Sequence, residues 1–141
     1  MDFRLIIAAA ILFIVTSVPA ISQNGLGWER TDAQTDYLFL CSGCHGRTGI
    51  GDGIVSQKLK VPPADLTRLA ANNDGIFPYR EVIEIIDGRQ MIESHSVREM
   101  PIWGWHFWAE ARDSNTLLPI EPQVKNRVSN LANYIATLQS K

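Results

Sequence analysis

Residues 41–45 of this 141-residue chain, with the sequence CSGCH, constrain its fold more than any other feature. The spacing of Cys41 and Cys44 lets each thiol add across one vinyl group of a haem, and His45 can then supply an axial nitrogen to the iron. A haem held between helices gives the surrounding loops a large apolar surface to wrap. We therefore expect a chain that folds around one covalently attached haem c.

Other uses of the cysteine pair fit the sequence less well. A redox dithiol belongs in a βαβ setting, and no stretch alternates apolar and polar residues for long enough to indicate a sheet. A zinc site needs further ligands, commonly a second cysteine pair, but the chain has only two cysteines. A disulfide across so short a loop would stabilise the fold little.

Apolar spacing predicts three helices. The first has Thr31 as its N-cap and Gln34 completing a capping box. The second starts at Pro78 and stops at Gly88, and the third opens at Pro122. The apolar positions are Ala33, Tyr37, Leu40 and Cys41 in the first, Val82, Ile85 and Ile86 in the second, and Val124, Val128, Leu131, Ile135 and Leu138 in the third. Those of the second helix are expected to be buried.

The remaining segments, residues 43–63, 72–77 and 89–121, are rich in glycine and proline and are predicted to be loops. Loops of this length in a compact domain usually carry function or wrap a ligand. The expected fold is therefore all-α, with a few helices and long loops wrapped around one haem.

The N-terminus has the pattern of an export signal. Residues 5–18 carry no charge and are followed by Pro19. A helix that crosses a bilayer needs about 20 apolar residues, so this shorter run predicts a signal peptide over residues 1–22 and a mature domain over residues 23–141. An uncleaved membrane anchor is the alternative, and the protein is expected in the periplasm in both cases.

The second axial ligand has several candidates. Methionine raises the reduction potential of a His-ligated haem, and Met100 lies beside Pro101, which stiffens the backbone. Met91 is equally well explained as a flexible core residue. His95 lies in a polar stretch, and His106 lies within the aromatic run 103–108, so neither has the setting expected of a ligand.

The chain resembles the class I monohaem c-type cytochromes of exported bacterial type over about residues 31–139. The resemblance is carried by the following segments: CSGCHG at 41–46, GIGDG at 49–53, PPADLT at 62–67, REMPIWG at 98–104, and the pattern of Leu131, Tyr134, Ile135 and Leu138. The chain departs from the family at residues 105–121, because the family's distal loop usually leads more directly into the last helix.

The resemblance implies a cytochrome c-like fold in which Cys41 and Cys44 bind the haem, with His45 and Met100 as the axial ligands. It also implies that the carbonyl of Pro62 or Pro63 accepts a hydrogen bond from His45. Candidates to contact the haem propionates are Arg68, Arg89 and Trp103, although a solvated surface explains both arginines equally well.

The function implied is single-electron transfer between periplasmic redox proteins rather than catalysis, because filled axial positions leave no place for a small-molecule substrate at the iron. One alternative is a haem-bearing subunit of a periplasmic dehydrogenase or oxidase complex, which exposed rings in residues 103–108 would favour. Another is a haem peroxidase with an open sixth position. The net charge of −2 gives no basic footprint for nucleic acid.

Overall fold

The computed structural model describes residues 33–89, 99–114 and 116–140, and every regular element in these ranges is helical. The predicted all-α class is therefore confirmed for the described residues. The helices are α1 (Ala33–Asp36), α2 (Ser42–His45), α3 (Tyr79–Asp87), α4 (Trp103–Asp113) and α5 (Ile120–Thr137), with a π-helical turn at Tyr37–Cys41 and 3₁₀ turns at Ser56–Lys58 and Leu66–Arg68. The predicted signal peptide, residues 1–22, and the predicted N-cap Thr31 lie outside the described residues.

The first helix, the π-turn and α2 form one helical segment over residues 33–45. Near its start, the buried carboxylate of Asp36 accepts two hydrogen bonds from Arg127 on α5, at 2.7 and 2.9 Å. In its middle, Tyr37 is fully buried and its hydroxyl donates to the carbonyl of Gly46 at 2.7 Å. These contacts fix the cysteine-bearing segment to α5 on one side and to the following loop on the other.

The third helix ends where the sequence predicts. Gly88 adopts the left-handed conformation, with φ of 67°, and its N–H donates to the carbonyl of Glu84 at 2.9 Å, which is a common way to end a helix. Val82 and Ile86 are buried as predicted, but Ile85 is 44% exposed, so its predicted burial is wrong. The buried face of α3 is flanked by Ile83, which packs against the core, and Ile85 lies about 100° around the axis from Ile86 on the side away from Ile83.

The last helix is the centre of the packing, since α1, α3 and α4 all pack against it. It begins at Ile120, two residues before the predicted start at Pro122. The proline is tolerated because N–H groups in the first turn have no partner within the helix. The buried face consists of Val124, Val128, Leu131, Ala132 and Ile135, and Leu138 packs against this core just beyond the end of the helix.

The prediction that residues 89–121 form a loop is wrong, because α4 (Trp103–Asp113) lies within them. Gly104, Phe107 and Ala111 are its buried residues, at positions i, i+3 and i+7 of one face. Tryptophan, phenylalanine and histidine are only moderate helix formers and glycine is a poor one. Tertiary packing therefore stabilises this helix, and a Cβ at Gly104 would collide with Asp87 at the end of α3.

Candidate functional site

The two cysteines lie at the junction of the π-turn and α2. Cys41 is the last residue of the turn and Cys44 lies on α2, and both are partly buried and form no disulfide. Burial, with smaller contributions from the charges of Asp36 and Cys44, raises the pKa of Cys41 to about 12. The Cys41 thiol is therefore neutral at ordinary pH. Short π-helical turns in proteins are frequent at functional sites.

His45, directly after the second cysteine, forms a hydrogen bond to the backbone through one ring nitrogen. Its Nδ1 lies 3.0 Å from the carbonyl oxygen of Ala64. A carbonyl can only accept, so Nδ1 is the donor, and in a neutral imidazole Nε2 then carries the lone pair. The expected acceptor, Pro62 or Pro63, is therefore wrong by one or two residues. A hydrogen bond of this kind orients a ligating histidine and increases its basicity.

The glycine loop lies close against the backbone of α2. Gly51 donates to the carbonyl of His45 at 2.8 Å, and Gly53 donates to that of Cys44 at 3.1 Å. A Cβ at Gly53 would lie 2.6 Å from the carbonyl carbon of Cys44, and Gly51 has a positive φ of 86°. These two glycines let the loop support the cysteine–histidine segment.

Met100 lies partly buried against the hydrophobic core, together with Trp103. The preceding carboxylate, Glu99, accepts hydrogen bonds from the backbone N–H groups of Lys60 and Val61, each at 2.9 Å. These two N–H groups lower the pKa of Glu99, that of Val61 most. Residue types and spacing gave no indication of this contact, because it joins two loops 38 and 39 residues apart.

His106, another candidate ligand, pairs with a residue of its own helix. His106 is 48% exposed and its Nε2 lies 3.0 Å from a carboxylate oxygen of Glu110, one turn further along α4. Met91 and His95 lie outside the described residues. The structure therefore places His106 in a surface pair, as the sequence suggested.

Arg89, which was expected to contact a haem propionate, instead pairs with two carboxylates of the protein. Its guanidinium donates to both oxygens of Asp87, at 2.6 and 2.8 Å, and to both oxygens of Glu121, at 2.9 and 3.0 Å. The Arg89 hydrogen bonds are the first cause of the lowered pKa values of Asp87 and Glu121. The arginine thus joins the end of α3 to the start of α5. Trp103 stacks on Phe107, with ring centroids 6.0 Å apart, and Arg68 is exposed.

Large apolar side chains are exposed beside the cysteine–histidine segment. Phe39, two residues before Cys41, is 84% exposed, and Ile54 is 89% exposed. The residue after Ile54, Val55, donates its N–H to the carbonyl of Gly43, between the two cysteines. Single exposed apolar residues are ordinary, but these two lie next to the cysteine–histidine segment.

In comparisons with known proteins, no protein-family model, curated protein or solved structure matches the chain. Within the described ranges, no helix has the length and apolar character needed to cross a membrane. In the same part of the chain, no three or more His, Cys, Asp or Glu residues cluster as metal ligands would. The arrangement that stands out is two cysteines that form no disulfide, a histidine with an available Nε2, and a methionine in a tethered loop.

Proposed function

We propose that the protein is a single-electron carrier of the class I c-type cytochrome kind, with one haem c attached through Cys41 and Cys44. His45 and Met100 are the proposed axial ligands. The proposal rests above all on the hydrogen bond from His45 Nδ1 to Ala64, which leaves Nε2 available directly beside two cysteines that form no disulfide. The proposed location is the periplasm, with redox proteins as electron donor and acceptor.

The residues present are compatible with such a group. Apolar side chains that are only partly buried lie around the core where a flat apolar cofactor could pack; among them are Leu40, Leu69, Met100 and Trp103. A bound haem supplies an iron that gains and loses one electron. The chain itself would anchor the group by two thioethers, orient the His45 ring through Ala64, and present a thioether sulfur, which raises the reduction potential.

A second candidate is a haem-bearing subunit of a periplasmic dehydrogenase or oxidase complex. The observation that favours it is the exposed side of α4 and the following loop: Trp105 is 50% exposed and Leu117 is fully exposed. Exposed apolar residues of this size suit a lasting protein interface. Under this proposal the haem chemistry is the same, and the protein copurifies with its partner when it is isolated from its native membrane or periplasm.

The sixth position separates a carrier from an enzyme such as a peroxidase. We expect the unmutated protein to be low-spin in both oxidation states, to show the weak near-infrared Met–iron band when oxidised, and to bind carbon monoxide poorly. Met100→Ala should lower the reduction potential and open the iron to carbon monoxide, because a thioether stabilises ferrous iron. Met91→Ala is the matched control and should change neither property.

Rapid carbon monoxide binding by the unmutated protein, with a high-spin ferrous spectrum, would refute the carrier and favour the open-site peroxidase. If instead Met91→Ala removed the near-infrared band and Met100→Ala kept it, the ligand role would belong to Met91.

A further inference from the structure

Residues 60–64, here called the strap, join the end of α2, which carries His45, to the loop that carries Met100. At one end, the N–H groups of Lys60 and Val61 donate to the two oxygens of Glu99, each at 2.9 Å. At the other end, the carbonyl of Ala64 accepts the hydrogen bond from His45 Nδ1 at 3.0 Å. One five-residue segment therefore contacts the histidine on one side and the neighbour of Met100 on the other.

The strap is short and stiff. Its centre is Pro62 and Pro63, whose rings fix φ and remove two N–H groups. The carbonyl oxygen of Pro63 also lies close to Gly51, where a Cβ would come within 2.7 Å of it. A displacement at one end is therefore transmitted to the other with little loss in the backbone between them.

We propose that Glu99 is a positioning residue that holds Met100 at the iron by tying its loop to the strap; this rests on the proposed function. The side chain acts through the backbone next to Met100 and does not itself touch the iron. Hydrogen bonds from N–H groups to a carboxylate are stronger than those to a neutral acceptor. A glutamine offers only one acceptor oxygen for two converging N–H groups, and its amide NH₂ cannot accept either.

The test uses the haem-loaded protein with three substitutions. Glu99→Ala removes both contacts, Glu99→Gln keeps one acceptor, and Glu81→Gln removes a carboxylate charge from the exposed side of α3 as a matched control. The readouts are the near-infrared Met–iron band of the oxidised protein, the reduction potential, and the rate of carbon monoxide binding to the reduced protein. Urea midpoints are measured in parallel.

We expect Glu99→Ala to lose most of the near-infrared band, to have a lower potential, and to bind carbon monoxide roughly tenfold faster, as the loss of two hydrogen bonds implies. Glu99→Gln should lie between Glu99→Ala and the unmutated protein, and Glu81→Gln should match the unmutated protein. A merely structural role would lower the urea midpoint of Glu99→Ala and leave the band and the potential unchanged, which would overturn the proposal.

The failure of this inference is distinguishable from that of the proposed function. If the unmutated protein carries no covalent haem or lacks the Met–iron band, the proposed ligation itself is wrong. The role proposed for Glu99 is then refuted as well. If the unmutated protein shows the band and Glu99→Ala keeps both the band and the slow carbon monoxide rate, only the role of Glu99 is refuted.

Discussion

Replacing Tyr37 with phenylalanine tests how the cysteine-bearing segment is held. The Tyr37 ring is fully buried, and its hydroxyl donates to the carbonyl of Gly46 at 2.7 Å, directly after His45. Burial raises the pKa of Tyr37 above its ordinary value, with smaller contributions from Cys41, Tyr134 and Asp52, so the phenol is a neutral donor at ordinary pH. Tyr37→Phe removes the donor and keeps the ring.

The expected loss in the free energy of unfolding comes from the carbonyl of Gly46, which Tyr37→Phe leaves without its donor. Leaving a buried polar group without its hydrogen bond costs about 1–3 kcal/mol, since water does not reach the fully buried Tyr37 position easily. For a domain of this size, each kcal/mol lowers Tm by roughly 4 °C or more. The ring of residue 37 still packs against Tyr134, with centroids 5.1 Å apart, so this contact should not contribute to the difference in unfolding free energy between Tyr37→Phe and the unmutated protein.

The assay is urea and thermal unfolding followed by far-ultraviolet circular dichroism. Tyr134→Phe is the matched control, because it removes the same hydroxyl from the partly exposed member of the ring pair. We expect it to cost about 0.5 kcal/mol or less, as surface substitutions usually do. If Tyr37→Phe cost no more than Tyr134→Phe, the hydroxyl of Tyr37 would not hold the segment and the argument would be refuted.

Two further substitutions test the loop contact and the charged cluster. Gly53→Ala should destabilise the protein by about 1–3 kcal/mol, the usual cost of overpacking, because its Cβ would collide with the backbone of Cys44. Gly43→Ala is the control, since a Cβ there meets only an ordinary contact at 3.9 Å. Equal urea midpoints for the two variants would contradict this prediction. Asp87 has a pKa held below its usual range, chiefly by the hydrogen bond from Arg89. A lowered folded-state pKa gives stability that is present above the ordinary carboxyl pKa of about 4 and is lost as the pH falls through the lowered value. The stability difference between the unmutated protein and Asp87→Asn should therefore shrink in urea titrations from about pH 6 to about pH 3, and a difference that does not change with pH would contradict the pairing.

Much of the helical scaffold follows from local sequence. The regular apolar spacing on α5 and the glycine after α3 are local signals, and the structure places both elements close to the predicted positions. The helix α4 gave no such signal, because its first half consists of tryptophan, glycine, histidine and phenylalanine, which are moderate or poor helix formers. Its buried face, Gly104, Phe107 and Ala111, becomes apparent only once the neighbouring helices are in place.

The candidate site, like the fold, was predictable where the signal is local and not where it depends on the tertiary structure. The two cysteines and His45 are adjacent in sequence, so their spacing alone predicts their chemistry. The acceptor for His45, Ala64, was predicted within one or two residues, since the choice among three neighbouring carbonyls depends on the local path of the backbone. The contacts of Glu99 with residues 60 and 61 were not predicted, because the donors are backbone N–H groups that any residue except proline carries.

The most direct test of the proposed function is the intact mass of the purified protein, combined with a thiol count under denaturing conditions. The account predicts that the mature chain is heavier by one haem, that no free thiol remains, and that Cys44→Ser leaves at most one thioether. Two free thiols in the native protein, at the mass of the bare polypeptide, would contradict the covalent attachment of haem through Cys41 and Cys44.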